Sequence, residues 1–168
     1  MVNSVIYATK KGSAEVYAKA FAQKKNYPIY EHKQVLSEDL IDTEKIYYFA
    51  SVYAGSLQGI EELKTKVPEN SQLTILPVGL SSVNDHEKLA EIREGIVKVF
   101  PQAKIIHLRG RLNKEQLKLP EKLIIKMISK SSRKKAEQEK LDIEKAIEQV
   151  DTTGSVDYLD LAELVNID

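Results

Sequence analysis

The sequence predicts an α/β domain in which helices cover both faces of a five-stranded parallel sheet, a three-layer α/β/α arrangement. Five short apolar runs alternate with segments whose apolar residues recur at helical spacing, and strands joined through helices run parallel. The strand candidates are apolar at nearly every position, as strands buried on both faces are. The chain has 168 residues, which suits one domain, and we expect that domain to span residues 1–168.

Three strands and two helices are predicted in the first 67 residues. The β-branched run 2–8 is the first strand, and apolar residues between 14 and 21 follow a helical period. Residues 28–33 form a second strand candidate that begins with a proline, where no backbone donor is needed. The run 45–51 is a third, buried strand, and apolar spacing over 57–67 predicts the next helix.

The rest of the chain continues the alternation and then becomes helical. Residues 72–79 and 103–108 are the fourth and fifth strands. Between them we expect a helix capped by Asn84, with Glu87 completing a capping box. A long helical stretch over 119–150, broken near residues 130–132, and a last helix over 158–165 complete the prediction.

Composition excludes several classes of function. The chain has no cysteine, which excludes disulfides, thiolate catalysis and cysteine-bound metal. Basic and acidic residues number 25 each, so no overall charge attracts nucleic acid. The three histidines lack metal-ligand spacing and no G-x-S-x-G motif is present, so we assign no metal and no catalytic residue. Without a membrane-length apolar run or a signal-type leader, we expect a cytoplasmic protein.

Charge is unevenly distributed along the sequence. Residues 109–140 hold eleven basic and four acidic residues, a net charge of +7, and the remainder carries −7. Such a basic helical segment can be a solvated face whose lysine stems cover apolar neighbours. It can also meet an acidic partner or the anionic inner face of a membrane, and both interpretations stay open from the sequence.

Three turns are expected to meet at one edge of the sheet. Ligands of open parallel sheets bind beyond the carboxyl ends of the strands. The turns 9–14, 51–56 and 80–83 follow the first, third and fourth strands and consist largely of small and hydroxyl residues. This composition allows backbone to approach a ligand closely.

The first turn has the features of an anion site. It leads from a strand to a helix N-terminus, whose free N–H groups attract phosphate. Gly12 allows unusual dihedrals, the Thr9 and Ser13 hydroxyls can donate hydrogen bonds, and Lys10 and Lys11 add positive charge. One glycine with two hydroxyls suits a phosphomonoester better than a pyrophosphate. The alternative is a strand–helix turn capped by Ser13 with nothing bound. In the second turn, Tyr53 can stack on a planar ring.

At these residues the chain resembles flavodoxin-type FMN proteins. The run Ile-Tyr-Ala-Thr-Lys-Lys-Gly-Ser-Ala at 6–14 is similar to the family's phosphate loop, and Phe-Ala-Ser-Val-Tyr-Ala-Gly at 49–55 is similar to its ring-contacting loop. The resemblance implies the flavodoxin strand order 2-1-3-4-5, with FMN at the switch point. Ala14 stands where the family has threonine, so we expect weakened rather than abolished phosphate binding.

Within that family the chain most resembles the branch of menaquinone-dependent protoporphyrinogen oxidase. The A-S-[IV]-x-x-G form of the second loop is shared, and the basic stretches 108–112 and 122–128 and the tail 156–162 are similar. The aromatic-rich run typical of the oxidase is missing from the basic segment. The branch implies FMN-dependent electron transfer with a redox partner protein, a quinone or another small substrate. The alternative is a flavodoxin-fold docking module that has lost FMN.

The resemblance also implies which residues would contact FMN. The first loop would hold the phosphate, the second loop the isoalloxazine with Gly55 facing its N5, and the third loop the opposite edge of the ring. The implied contacts are Thr9, Lys10, Lys11, Gly12, Ser13 and Ala14, then Ser51, Val52, Tyr53, Ala54, Gly55 and Ser56, then Leu80, Ser81 and Ser82.

Overall fold

A parallel sheet forms the centre of the molecule in the computed structural model, which describes residues 2–168. Its strands are β1 (Val2–Ala8), β2 (Ile29–Glu31), β3 (Thr43–Tyr53), β5 (Gln72–Gly79), β6 (Lys104–Ile105) and β7 (Leu108–Arg109), with β4 (Ser56–Leu57) paired to the end of β3. The order is β2-β1-β3-β5, with β6 and β7 successively on the outer side of β5. Counting β6 and β7 as one interrupted fifth strand, the predicted order 2-1-3-4-5 is confirmed.

Helices lie on both sides of the sheet. They are α1 (Ser13–Lys25), α2 (Ile60–Lys64), α3 (His86–Val99), α4 (Leu119–Ser132) and α5 (Asp142–Thr153), with short 3-10 segments at Ser37–Leu40, Lys114–Gln116, Glu137–Glu139 and Leu161–Asn166. The last two strands, β8 (Arg111–Asn113) and β9 (Ser155–Asp157), form a separate antiparallel pair. The predicted three-layer architecture is therefore confirmed.

Alternation along β3 divides the core into two layers. Tyr47 and Phe49 face α1 and pack with Phe21, while Ile46 and Tyr48 face the opposite layer, which includes residues of α2 and α3. All five side chains are essentially buried. Strands covered on both faces have to be apolar at every position, which is why this strand was recognisable in the sequence.

A third apolar cluster lies beyond the carboxyl edge of the sheet. It joins α4 and α5 to β8 and β9 through buried residues that include Ile125, Ile147, Val150 and Val156, and Leu80 packs against it. The C-terminal 3-10 segment instead packs on the α1 side through Leu164. The hairpin of α4 and α5 therefore covers the edge at which the three predicted turns end.

The fifth strand is interrupted because its neighbour contains a proline. Ile75 and Gly79 accept hydrogen bonds from Ile106 and Gly110 on this side of β5, so Pro77, between them, faces the same side. Proline has no N–H to donate. The prediction of one continuous strand over 103–108 is therefore wrong, because strand pairing is interrupted between β6 and β7.

Three other local predictions are wrong. Helix α3 begins after Asp85 without a side-chain cap, so the capping box of Asn84 and Glu87 does not form, and the Asn84 amide contacts Asp142 on α5 instead. The chain over 158–165 is not an α-helix, since Asp160 caps a 3-10 segment there. The helix predicted over 57–67 is shortened to α2, because Ser56 and Leu57 pair with β3. The predicted break near residues 130–132 is confirmed, since α4 ends at Ser132.

Candidate functional site

The predicted ligand edge opens into a cavity of about 790 Å³ between the strand ends and the α4–α5 hairpin. This volume is within the usual range for small-ligand sites. Ten of the fifteen predicted contact residues line the cavity, namely Lys10, Lys11, Ser13, Ser51, Val52, Tyr53, Ala54, Gly55, Leu80 and Ser81. The other five predicted contact residues are adjacent in sequence to lining residues but do not themselves line the cavity: Thr9, Gly12, Ala14, Ser56 and Ser82.

The turn between β1 and α1 is held in an open, looped form by its own hydroxyls. Gly12 adopts a left-handed φ of 94° and donates its N–H to the Thr9 Oγ1 at 2.9 Å. The Lys10 N–H donates to the Ser51 Oγ at 2.9 Å, which links the first and second turns. No side chain caps α1, so the amides of its first turn stay available to an anion.

Ser13 has a different role from the one implied by the sequence. Its Oγ accepts a hydrogen bond from the Arg111 N–H at 3.0 Å and donates to the Arg111 carbonyl at 3.3 Å. A Cβ added at Gly110 would lie 2.8 Å from both Cβ and Oγ of Ser13. The Ser13 hydroxyl therefore anchors β8 to the first turn, and the contribution of this residue to an anion site is its backbone N–H.

A partly buried ion pair spans the mouth of the first turn. The Lys11 ammonium contacts the Glu121 carboxylate of α4 at 3.0 Å and the Gln116 carbonyl at 3.2 Å. The Lys118 N–H, followed by Lys11, lowers the pKa of Glu121. The pKa of the Tyr53 phenol is raised, first by its hydrogen bond to Glu121. Sequence reasoning did not identify Glu121, because its proximity depends on where α4 packs.

The second turn is a tight hairpin that exposes its aromatic residue. Tyr53 pairs with Ser56 across a two-residue loop, in which Ala54 and Gly55 have φ values of 49° and 78°. This is the left-handed pair that favours a type I′ turn. Tyr53 is 43% exposed, and the Lys10 ammonium lies 4.6 Å from the centre of its ring. The ring is placed at the cavity mouth, where a planar group could stack on it.

In the third turn, two of the three predicted contact residues line the cavity, and the third bonds to helix α5. Leu80 and Ser81 line the cavity, and the Arg109 guanidinium donates to the Leu80 carbonyl at 2.8 and 3.1 Å. Ser82 instead donates its hydroxyl to the Asp142 carboxylate of α5 at 2.5 Å. The Ser82 side chain therefore fixes the hairpin of α4 and α5 rather than facing the cavity.

Apolar side chains of the hairpin supply the wall opposite the strand ends. The wall residues that the sequence reasoning did not identify include Leu117, Ile124, Ile125, Ile128, Ile143 and Ile147. Their helical spacing was visible in the sequence, but nothing in it showed that they would face this edge. His107 also lines the cavity with a buried Nε2 that lacks a hydrogen-bond partner in the described residues, and burial, followed by Arg93, lowers its pKa.

The assembled residues fit a mononucleotide with a planar ring. Uncapped amides at the start of α1 can receive a single phosphate, an aromatic hairpin lies beside them, and the opposite wall is apolar. Ala14 is fully buried and has no hydroxyl, so phosphate contacts there have to come from backbone.

The described part of the chain, residues 2–168, has neither a metal-binding cluster nor a membrane-spanning helix. No cluster of histidine and acidic side chains there could hold a metal ion. Each helix in the same residues is too short or too polar to cross a membrane.

Comparison with known families gives a match that covers most of the chain. The family model described as "Flavodoxin domain" matches residues 4–139, which include all three turns and the whole of α4. None of the curated proteins matches the chain significantly.

The solved structures that are similar to the chain have low sequence identity to it. A Bacteroides eggerthii protein superposes with a TM-score of 0.50 and 8% identity over 63% of this chain and 85% of its own. An archaeal flavodoxin has a TM-score of 0.45 and 15% identity, over 69% of this chain and 88% of its own. The reduced flavodoxin of Megasphaera elsdenii has a TM-score of 0.44 and 10% identity, over 63% and 82%.

Proposed function

This chain belongs to the flavodoxin domain family, whose cofactor is FMN, and we propose that it transfers electrons between FMN and a small apolar substrate. The observation that supports the proposal best is the composition of one cavity. Its floor is formed by the phosphate and ring loops, and its opposite wall by apolar side chains of α4 and α5. Electron transfer through FMN is the activity of the family, and the choice of substrate is the new element.

The chain's own groups would hold the cofactor mainly through backbone. The N–H groups of Lys11, Ser13 and Ala14 would receive the phosphate, while the N–H groups of Lys10 and Gly12 hold the loop through Ser51 and Thr9. Residues 51–56 and 80–82 would border the ring, with Tyr53 as the stacking side chain. When bound, FMN supplies reversible transfer of one or two electrons. The protein contributes position, electrostatics and exclusion of water.

The apolar wall would select the substrate. Seven aliphatic side chains between residues 117 and 147 line the cavity, and burial of apolar surface contributes about 25 cal/mol per Å². A quinone or another planar, uncharged molecule could be buried there against the ring loop. A charged carrier protein is too large for this cavity and would have to approach its mouth.

A protoporphyrinogen-oxidase-like activity is the second candidate. A tetrapyrrole combines a wide apolar ring with carboxylate arms. The cavity has an apolar wall with Lys10 and Lys11 at its polar end, which suits both features. The missing aromatic-rich run in the basic segment argues against this assignment, so the quinone-type substrate is the primary proposal.

The test is anaerobic reoxidation. FMN-loaded protein is reduced with dithionite, mixed with a soluble naphthoquinone, and followed by the return of oxidised-flavin absorbance. Ile124→Gln places an amide in the apolar wall at a position that is 51% exposed. We expect this variant to bind FMN normally and to be reoxidised several-fold more slowly. Protoporphyrinogen is assayed in parallel as the electron donor to oxidised protein.

Val97→Gln is the matched control, since Val97 is a 40% exposed residue of α3 outside the cavity wall. Equal reoxidation rates in Ile124→Gln, Val97→Gln and the unmodified protein would contradict a substrate site at the hairpin. FMN binding and the family membership would be unaffected by that result.

A further inference from the structure

Helix α4 presents large apolar side chains to solvent. Leu119, Leu123 and Met127 are 71%, 55% and 69% exposed, and their four-residue spacing places them on one face of the helix. The opposite face is buried through Ile125 and Ser129. Exposed apolar residues are ordinary when scattered, but a contiguous row of them indicates an interaction surface.

The same helix carries a row of lysines that have no acidic partners. Lys118, which immediately precedes the helix, and Lys122, Lys126 and Lys130 within it occur at every fourth position, and among residues 2–168 none of them makes an ion pair. Glu121, the single acidic residue of α4, turns inward to Lys11. Four other basic residues of the segment, Lys114, Arg133, Lys135 and Lys140, have acidic partners. Within residues 2–168, four of the seven basic residues of the segment that make no ion pair therefore lie beside the apolar row.

We propose that the outer face of α4 lies on the surface of an anionic lipid bilayer. Basic amphipathic helices bind in the interfacial plane, with apolar side chains at the boundary of headgroups and acyl chains. Lysines beside them extend their ammonium groups toward anionic headgroups. The lipid headgroups would supply the negative charge that the protein itself does not supply to Lys122, Lys126 and Lys130.

Charge and shape favour a bilayer over a protein partner. Two copies packed symmetrically through this face would bring their lysine rows together, and like charges repel. The apolar row also stands on a convex helix surface, whereas a fluid bilayer adapts to any convex shape. An acidic protein partner is kept as an outcome of the test.

The test is cosedimentation of the full chain with vesicles. Phosphatidylcholine vesicles containing about one third phosphatidylglycerol are compared with phosphatidylcholine alone, at low salt and at about 0.5 M NaCl. We expect binding to the anionic vesicles that is lost at high salt. The triple substitution Lys122→Gln, Lys126→Gln, Lys130→Gln should lower partitioning roughly a hundredfold, and Leu123→Ser with Met127→Ser should also weaken it.

Two control variants make the same number and type of substitutions at surface positions outside α4. Lys64→Gln, Lys88→Gln, Lys98→Gln removes three exposed lysines from α2 and α3, and Ile41→Ser with Val83→Ser removes two exposed apolar side chains elsewhere. Neither control should change binding. Thermal melting verifies that each variant is folded.

Binding to poly-glutamate is measured in parallel as a model of an acidic protein. The proposal would be overturned by no binding to anionic vesicles or by equal binding of the two triple-lysine variants. It would also be overturned by binding to poly-glutamate without binding to vesicles. The last result would assign the face to an acidic protein.

Discussion

Gly110 determines how closely β8 approaches the start of α1. A methyl group there would meet Ser13 at 2.8 Å and a Val78 methyl at 3.1 Å. We predict that Gly110→Ala lowers the free energy of unfolding by about 2 kcal/mol and weakens FMN binding, because the first turn has to move. Chemical denaturation and flavin titration measure the two effects.

Gly95→Ala is the control for that substitution. Gly95 lies within α3, and a Cβ there meets nothing within 4 Å. Alanine should raise the free energy of unfolding by up to about 1 kcal/mol through helix propensity and leave FMN affinity unchanged. A Gly110→Ala protein as stable as the parent would disprove the close contact with Ser13.

Glu121 would compete with a bound phosphate for Lys11. Its carboxylate lies 3.0 Å from the Lys11 ammonium and neutralises the charge of this first-turn lysine. We predict that Glu121→Gln tightens FMN binding roughly fivefold, because it removes the carboxylate charge and frees the lysine. Fluorescence titration at constant salt measures the change.

Glu115→Gln removes the same charge from an exposed position in the same segment, where Glu115 makes no ion pair within the described chain. Its FMN affinity should equal that of the parent. If the two variants bind FMN alike, Glu121 does not control the phosphate end of the site.

One buried carboxylate attaches the α4–α5 hairpin to the turn between β5 and α3. Asp85 accepts N–H bonds from Asp142 and Ile143 at the start of α5, at 2.7 and 2.9 Å, and from Ser82 at 3.0 Å. It is 1% exposed. We predict that Asp85→Ala costs about 3 kcal/mol of stability, since buried amides lose their acceptor. Urea denaturation measures the loss.

Asp160→Ala is the comparison for that prediction. Asp160 caps the C-terminal 3-10 segment through the Ala162 N–H at 3.0 Å, but at an exposed position. Its loss should cost about 1 kcal/mol or less. Similar costs for the two substitutions would show that α5 is not held by Asp85.

The attachment of α4 to the first turn should depend on pH. The pKa of Glu121 is lowered in the folded protein, first by the Lys118 N–H and then by Lys11. The contribution of the ionised Glu121 carboxylate to the free energy of unfolding is therefore complete above its pKa in the unfolded chain. It is lost as pH falls through the lower folded pKa. The stability difference between the parent and Glu121→Gln should therefore shrink between neutral pH and about pH 3. A difference that stays constant under acid would contradict the ionised pair.

Elements were predictable where local pattern and burial agree. The apolar strand 72–79 was predicted at the bounds the structure has, because a central parallel strand is apolar throughout. The interruption of the fifth strand opposite Pro77 depends on contacts between distant segments. The same is true of Asp85, whose carboxylate accepts hydrogen bonds from α5 and does not cap its own helix α3. Periodicity does not contain that information, so both were missed.

For the whole molecule, the location of the site followed from topology. Strand–helix alternation brings the ends of β1, β3 and β5 to one edge, and the turns predicted there border one cavity. The opposite wall could not be predicted, because α4 and α5 reach it through the β8–β9 pair and the contacts of Asp85. Direct FMN contact by each residue and the single-domain extent of residues 1–168 stay predictions.

The most direct test of the account is titration of flavin-free protein with FMN and, in parallel, with riboflavin, which lacks the phosphate. Backbone amides at an uncapped helix start should make FMN bind at least about tenfold more tightly than riboflavin, with the absorbance and fluorescence changes of a ring in a protein site. Equal affinities for the two flavins would contradict phosphate binding at residues 9–14. Binding of neither would identify the chain as a flavodoxin-fold module without its cofactor.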